Sequence, residues 1–216
     1  MNGKEKSLAK RAFAASLLAL TAASPALSCG GGGYAYIKPG YERGGRCYLK
    51  RIALRVLPAS VSNENLNRLL AELALSHLRR EKAYLVYAMP RGLSPDARAG
   101  EFCKGDKRLN GVLSVRLRKL RVKKSKALLG VQAFLHDCDG ERIWEAYAEK
   151  ELASDIPEES KRIAYYRKKI GREVGTIIAP ANIVLRETLL TLPRPYLSFK
   201  DKKEMTERES KNPSLP

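Results

Sequence analysis

Three consecutive segments in the second half of the chain carry apolar side chains at every second position, the spacing of strands with one buried face. They span residues 112–122, 128–138 and 142–152, and the short polar turns KKSK and DCDG join them. This arrangement predicts a three-stranded antiparallel meander.

The first of these segments contains a change of phase. Leu113 and Leu117 lie on one alternation, whereas Leu120 and Val122 continue on the other. An extra residue in the strand returns the apolar side chains to one face, so the sequence predicts a β-bulge at Arg118 and Lys119.

The first half of the chain reads as a strand, a helix and a strand. Residues 51–58 and 83–90 have the composition of strands and each ends in proline, and the leucine-rich segment between them has helical spacing, with Ser62 or Asn63 as its cap. Short connections favour a parallel pair. Two further helices are predicted, one from about residue 160 to 178 and one over NIVLRETLLTL. The predicted fold class is α/β (α+β), a mixed five-stranded sheet in the order β-α-β-β-β-α-α with helices packed on it.

The amino terminus has the layout of a secretory signal. A basic start is followed by an uncharged apolar run over residues 12–27, and this run is too short for a spanning helix. We expect residues 1–28 to be cleaved, 29–46 to form a flexible tether, 47–197 to form a single domain, and the charged residues 198–216 to be disordered.

The stretch ALSC followed by glycines resembles a bacterial lipobox, in which the cysteine receives a diacylglycerol. The resemblance implies lipid attachment at Cys29, an envelope location, and sorting to the outer membrane because Gly30 follows the cysteine. The usual pattern has leucine one position earlier than Leu27, where this chain has Ala26. The alternative is a soluble exported protein in which Cys29 is an ordinary thiol or part of a disulfide.

The order of elements, with GERIWEAYAE in the last meander strand, resembles a group of uncharacterised bacterial lipoproteins. Their domain is similar to the one shared by the TolB amino-terminal region, LpoB and CsgG. The resemblance spans roughly residues 34–197 and implies a protein that works by contacts with envelope partners, without catalytic residues. A pore of the CsgG kind is not expected, because cations fill the hairpin that would face lipid.

We call the cations at the first turn of the meander the basic hairpin. They are Arg116, Arg118, Lys119, Arg121, Lys123, Lys124 and Lys126. With a chain net charge of +18, they favour contact with an anionic lipid surface or an acidic polymer. A sheet with one solvated face shows the same alternation without binding anything. Nucleic acid is not the expected partner, because of the export signal and because aromatic residues are absent between Val112 and Leu128.

No catalytic or cofactor motif occurs in the sequence. His77 falls on the apolar stripe of the first helix, and His136 and Asp137 face opposite sides of a strand, so they form no dyad. The turn DCDGE has too few ligands for a calcium loop. We therefore expect no enzyme activity, no metal and no cofactor.

The remaining cysteines are Cys47, Cys103 and Cys138. In an oxidising compartment they predict one disulfide and one free thiol. The loop before the hairpin brings Cys103 toward the end of the second meander strand, which favours a bond between Cys103 and Cys138, although the sequence leaves the other pairings open.

Overall fold

The structure is a computed structural model that describes residues 32–43, 46–58, 63–87, 94, 96–106 and 108–211. The predicted signal peptide and the predicted lipid attachment at Cys29 lie outside the described residues.

The described chain contains nine strands and five α-helices. The described strands are β1 (Gly33–Ile37), β2 (Glu42–Arg43), β3 (Arg46–Cys47), β4 (Arg51–Leu57), β5 (Leu85–Tyr87), β6 (Gly111–Lys123), β7 (Lys126–Asp137), β8 (Arg142–Ala153) and β9 (Arg194–Pro195). The described α-helices are α1 (Glu64–Arg80), α2 (Ala99–Gly105), α3 (Ser160–Lys169), α4 (Ile178–Leu190) and α5 (Phe199–Lys211).

The main sheet has the order β1-β8-β7-β6-β4-β5. Strand β4 is parallel to both β5 and β6, whereas the meander of β6, β7 and β8 is antiparallel. The predicted α/β class, the mixed sheet and the parallel β4-α1-β5 unit are confirmed. A small second sheet has the order β2-β3-β9.

The sheet has six strands and not the expected five. The additional strand, β1, lies inside residues 29–46, which the sequence analysis treats as a flexible tether. It pairs antiparallel with β8, and Ala35 and Ile37 pack against the core. The alternation of tyrosine with these two apolar residues in YAYI suits a strand with one buried face. The expectation of a tether is therefore wrong for residues 33–37.

Helices α1, α3 and α4 form a layer on one face of the sheet, which we call the helix-covered face. Asn63 caps α1 by accepting a hydrogen bond from the Leu66 amide at 2.8 Å, one of the two predicted caps. Leu69 and Leu70 of α1 are fully buried, and each contributes about 1.5–3 kcal/mol by leaving water.

The predicted helix over residues 160–178 is wrong in its length. Helix α3 ends at Lys169, a short 3-10 turn covers Arg172–Val174, and α4 begins at Ile178. Gly171 causes the break, because its φ of 148° lies far outside the helical region and is open only to glycine.

The carboxyl-terminal segment is a helix where the sequence analysis expects disorder. Ser198 and Asp201 form reciprocal contacts across the first turn of α5, with Ser198 N–H and Oγ donating to the Asp201 carboxylate. That carboxylate, 1% exposed, also accepts from Lys50 at 2.6 Å and from Arg51 at 2.5 Å. The charges that suggest disorder in the sequence are the groups that dock α5.

Candidate functional site: the open face of the sheet

The second face of the sheet is covered unevenly. Helix α2 packs Phe102 against Ala53 and Val112, and α5 adds Met205, so both helices cover the side of β4, β5 and the start of β6. No described helix packs on the same face of β1, β8, the rest of β6 and the part of β7 away from α2, which contacts the end of β7 beside Cys138. We call this area the open face.

Register places the basic hairpin on the open face. Arg116 pairs with Gln132, Lys119 with Gly130, and Arg121 with Leu128, while the helix-covered face takes the positions between them. Lys123 and Lys126 face each other at the end of the ladder, and Arg118 and Lys124 occupy the bulge and the turn. The ladder shifts between Leu117 and Lys119, which confirms the predicted bulge. The structure thus gathers the predicted cations on one surface.

Two of these cations have carboxylate partners in the described part of the chain. Lys119 contacts Glu149 at 2.5 Å, and Lys126 lies 3.9 Å from Glu151. The other five form no ion pair with a described residue. They are Arg116, Arg118, Arg121, Lys123 and Lys124. Arg116 also has a buried Nε without a hydrogen-bond partner. The open face therefore carries five cations that no carboxylate of the described residues pairs with.

Aromatic side chains border these cations. Tyr34 and Tyr36 of β1 are about half exposed, and the rings of Tyr34 and Tyr147 lie 6.0 Å apart. Tyr147 donates a hydrogen bond to Glu149. Burial and this bond raise the pKa of Tyr147 to about 12, against the opposing charge of Arg118. Tyr147 is therefore a neutral donor at neutral pH.

A hydrogen-bonded network holds the β1 side of the open face. The Glu145 carboxylate accepts from Tyr34 and Arg142 at 2.5 Å each and from Gln132 at 2.6 Å. Although burial opposes the effect, these donors lower the pKa of Glu145 below its ordinary value. Because Glu145 is paired and largely buried, it adds no free negative charge to the face.

The tyrosines of this site are not among the residues predicted from the sequence. The hairpin between Val112 and Leu128 contains no aromatic residue, and the tyrosines beside it come from β1 and β8. The available signal is the alternation in YAYI together with Tyr147 between Glu145 and Glu149. It becomes a prediction only once β1 is known to pair with β8.

The two histidines lie apart. His77 contacts Asn182 at 3.0 Å and Glu81 at 3.1 Å on the helix-covered face, in a position that links α1 to α4. His136 lies at the edge of the open face, and burial with the nearby charges of Arg142 and Arg55 lowers its pKa. Asp137 accepts backbone N–H groups of the following turn. Asp137 is therefore occupied by the turn and does not orient His136.

Beside His136 lies an open cleft of about 600 Å³. It is lined by residues of both charges, among them Arg55, Arg98, Glu101 and Asp139. Arg55 donates to Ser114 at 2.7 Å and lies 5.1 Å from the ring of Phe102. The groups in the cleft form no set that matches a nucleophile with a base.

Cys103 and Cys138 form a disulfide with an S–S distance of 1.97 Å, the pairing that the sequence favours. It ties α2 to the turn between β7 and β8. Among the residues that the structure describes, no group of three or more His, Cys, Asp or Glu side chains is placed to hold a metal ion. The described helices also include none that is long and apolar enough to cross a bilayer.

Comparison with known proteins gives similarities to solved structures alone. No family model matches the chain, and no curated protein matches it. A PelC dodecamer from Paraburkholderia phytofirmans is similar at a TM-score of 0.49 and 15% identity, over 76% of this chain and 99% of that chain. The hypothetical protein CT253 from Chlamydia trachomatis has a TM-score of 0.45 and 11% identity, over 66% and 94% of the two chains. The lipoprotein GNA1162 from Neisseria meningitidis has a TM-score of 0.40 and 14% identity, over 56% and 97%.

Proposed function

We propose that this protein is an exported, lipid-anchored protein of the bacterial envelope, whose domain is a non-catalytic module that binds an anionic partner through the open face. The observation that carries the proposal is the set of five cations without described carboxylate partners on a sheet face that no described helix covers. Of the carboxylates on this face, Glu145 is paired with Arg142, Glu149 with Lys119, and Glu151 lies 3.9 Å from Lys126, so none of these three pairs with the five cations.

The amino-terminal sequence supports the anchored form of the proposal. ALSCGGGG places Cys29 three residues before Gly32, whose carbonyl oxygen accepts a hydrogen bond from the Glu149 amide at 2.9 Å. A lipid on Cys29 would therefore hold the domain close to the bilayer. A second candidate keeps the same binding face and removes the anchor, which makes the protein a soluble exported one that binds an acidic polymer.

The mass of the mature amino-terminal peptide separates the two candidates. The protein is produced with its own leader in a diderm bacterium, and the peptide that begins at Cys29 is measured. We expect the mass of Cys29 with a diacylglycerol, with or without an amide-linked chain. An unmodified Cys29 at the amino terminus would establish the soluble form, and retention of residues 1–28 would contradict export.

A second experiment tests the binding face itself. The triple variant R118E/R121E/K123E reverses three cations of the open face, and we expect it to elute from immobilised heparin at a lower salt concentration than the wild type. Heparin serves here as a generic polyanion, and its contacts with lysine and arginine weaken with salt.

A matched control separates the site from net charge. The variant R167E/K168E/R172E also reverses two arginines and one lysine, all exposed, at the end of α3 on the helix-covered side. If the two variants elute at the same salt concentration, retention reflects net charge and the open face is not a binding site.

A further inference from the structure

The direction of β1 relates the amino terminus to the basic hairpin. Gly33 lies opposite Ala148, which lies opposite Val131 of β7 and, beyond it, Leu117 of β6. The backbone at Gly33 therefore points along β8 toward the pairing of β8 with Lys126. The hydrogen bond from Glu149 N–H to Gly32 keeps the chain in this direction. The described chain thus begins on a course toward the turn of the basic hairpin.

The lengths of the hairpin and of the connection to Cys29 are comparable. From the level of Gly33, β7 continues five residues to Lys126, or about 17 Å at the rise of a strand. Cys29 lies four positions before Gly33, and a fully extended chain spans at most about 14 Å over those four steps. An extended connection in this direction would therefore bring a lipid on Cys29 close to the level of the hairpin turn.

The two ends of β7 differ in charge. The turn between β6 and β7 carries Lys123, Lys124 and Lys126, whereas the turn at the other end of β7 carries Asp137 and Asp139. An anionic surface attracts the first end more strongly than the second, where Asp137 and Asp139 lie near the paired cations Lys38 and Arg142. The charge gradient and the exit of the chain point to the same orientation.

From these observations, and resting on the proposed lipid anchor, we infer that the basic hairpin lies on an anionic lipid surface, the same bilayer that receives the acyl chains of Cys29. In this orientation the turn between β6 and β7 contacts the lipid headgroups, and the turn between β7 and β8, at Asp139, lies away from the bilayer. Because two or three acyl chains already give stable attachment, the hairpin sets the orientation of the domain and adds little to its retention.

Donor quenching by a headgroup-labelled lipid tests this orientation in the acylated protein. Substitution of Cys47 by Ser removes the thiol outside the disulfide and the lipid site, and a donor is attached at S125C or at P39C. Ser125 lies in the hairpin turn, and Pro39 follows β1 at the other end of the sheet. Both residues are exposed, and the strand positions beside them, Lys126 and Ile37, differ in level by nine residues of β7, or roughly 30 Å.

On vesicles of phosphatidylglycerol and phosphatidylcholine, we expect stronger quenching at residue 125 than at residue 39. The difference should diminish on phosphatidylcholine alone and at about 0.5 M salt, where the Debye length is roughly 4 Å. The change R118E/R121E/K123E should abolish the difference, and the control R167E/K168E/R172E should preserve it.

Equal quenching at the two positions, or stronger quenching at residue 39, would overturn the inference. So would a difference that is independent of lipid charge and salt, which would leave an acidic polymer as the partner of the hairpin. Flotation of the same samples with the vesicles distinguishes failure of the inferred orientation from failure of the proposed lipid anchor. An acylated protein that floats with vesicles but shows no orientation refutes the inference alone, whereas an unmodified Cys29 that does not float refutes the anchor as well.

Discussion

Replacement of Asp201 by alanine should weaken the docking of α5 on the domain. Its carboxylate is buried and receives charged donors from Lys50 and Arg51, together with the Ser198 hydroxyl and amide. Removal of one partner of a buried ion pair costs about 3–5 kcal/mol. Because the Lys50 and Arg51 side chains keep 24% and 21% exposure, water replaces part of the lost interaction, and we take the lower figure of about 3 kcal/mol.

The loss should be local, since α5 lies outside the main core and docks largely through polar contacts. Glu204 accepts from Arg51 at 2.9 Å and from Tyr87 at 2.6 Å, and these contacts remain in the variant. A docking free energy lowered by about 3 kcal/mol increases amide exchange in α5 roughly 100-fold, at 1.4 kcal/mol per factor of ten.

Hydrogen exchange measured by mass spectrometry over residues 202–211 tests this expectation. The control is Glu207→Ala, which removes an exposed carboxylate of the same helix. The reasoning is refuted if α5 exchanges at the same rate in the wild type and in Asp201→Ala, or if Glu207→Ala has an equal effect.

Three further predictions concern the disulfide, acid and alkali. Reduction of the bond between Cys103 and Cys138, 35 residues apart, should lower the free energy of unfolding by about 3–4 kcal/mol; an unchanged denaturant midpoint in reductant would contradict this. Against the effect of burial, the bonds from Lys50 and Ser198 hold the pKa of Asp201 well below its ordinary 3.8. The stabilisation is therefore complete above that value and lost as pH falls through the lower folded pKa, and exchange in α5 should rise there in the wild type. The rise should be smaller in Asp201→Asn, in which the titrating contact that remains is Glu204, whose pKa is lowered, against the effect of burial, by hydrogen bonds from Tyr87 and Arg51. Glu149→Gln should bring the pKa of Tyr147 from about 12 back toward 10, seen as phenolate absorbance at lower pH against a Tyr147→Phe reference, and an unmoved titration would remove Glu149 as a cause.

The elements with a strong local pattern are predictable from the sequence. The meander, its bulge and the strand-helix-strand unit follow from the spacing of apolar residues. That spacing is a local property, because it depends only on residues a few positions apart in the chain. Strand β1 and helix α5 are not predictable in this way, because each is stabilised by partners more than 100 residues distant, Ala148 for Gly33 and Lys50 for Asp201. Their own sequences, with glycine and tyrosine in one and many charges in the other, carry little local preference.

The candidate site likewise has one part that is predictable from local sequence and one part that is not. Its cations follow from the alternation within one hairpin, so the sequence identifies them by number. The tyrosines come from two strands that are far apart in the chain, and their place beside the cations depends on the pairing of β1 with β8. The lipid site at Cys29 and the resemblance to the TolB, LpoB and CsgG domain stay predictions.

The bulge in β6 has a consequence for how this sheet tolerates changes in chain length. Because Arg118 is the extra residue, its deletion would leave a regular ladder in which Leu117 and Leu120 still face the helices. Removal of a residue elsewhere in the strand would instead exchange the inside for the outside over every position up to the turn. Strand β6 thus contains one position where a residue can be lost without reversing the two faces of the sheet. In this chain that residue is the cation Arg118.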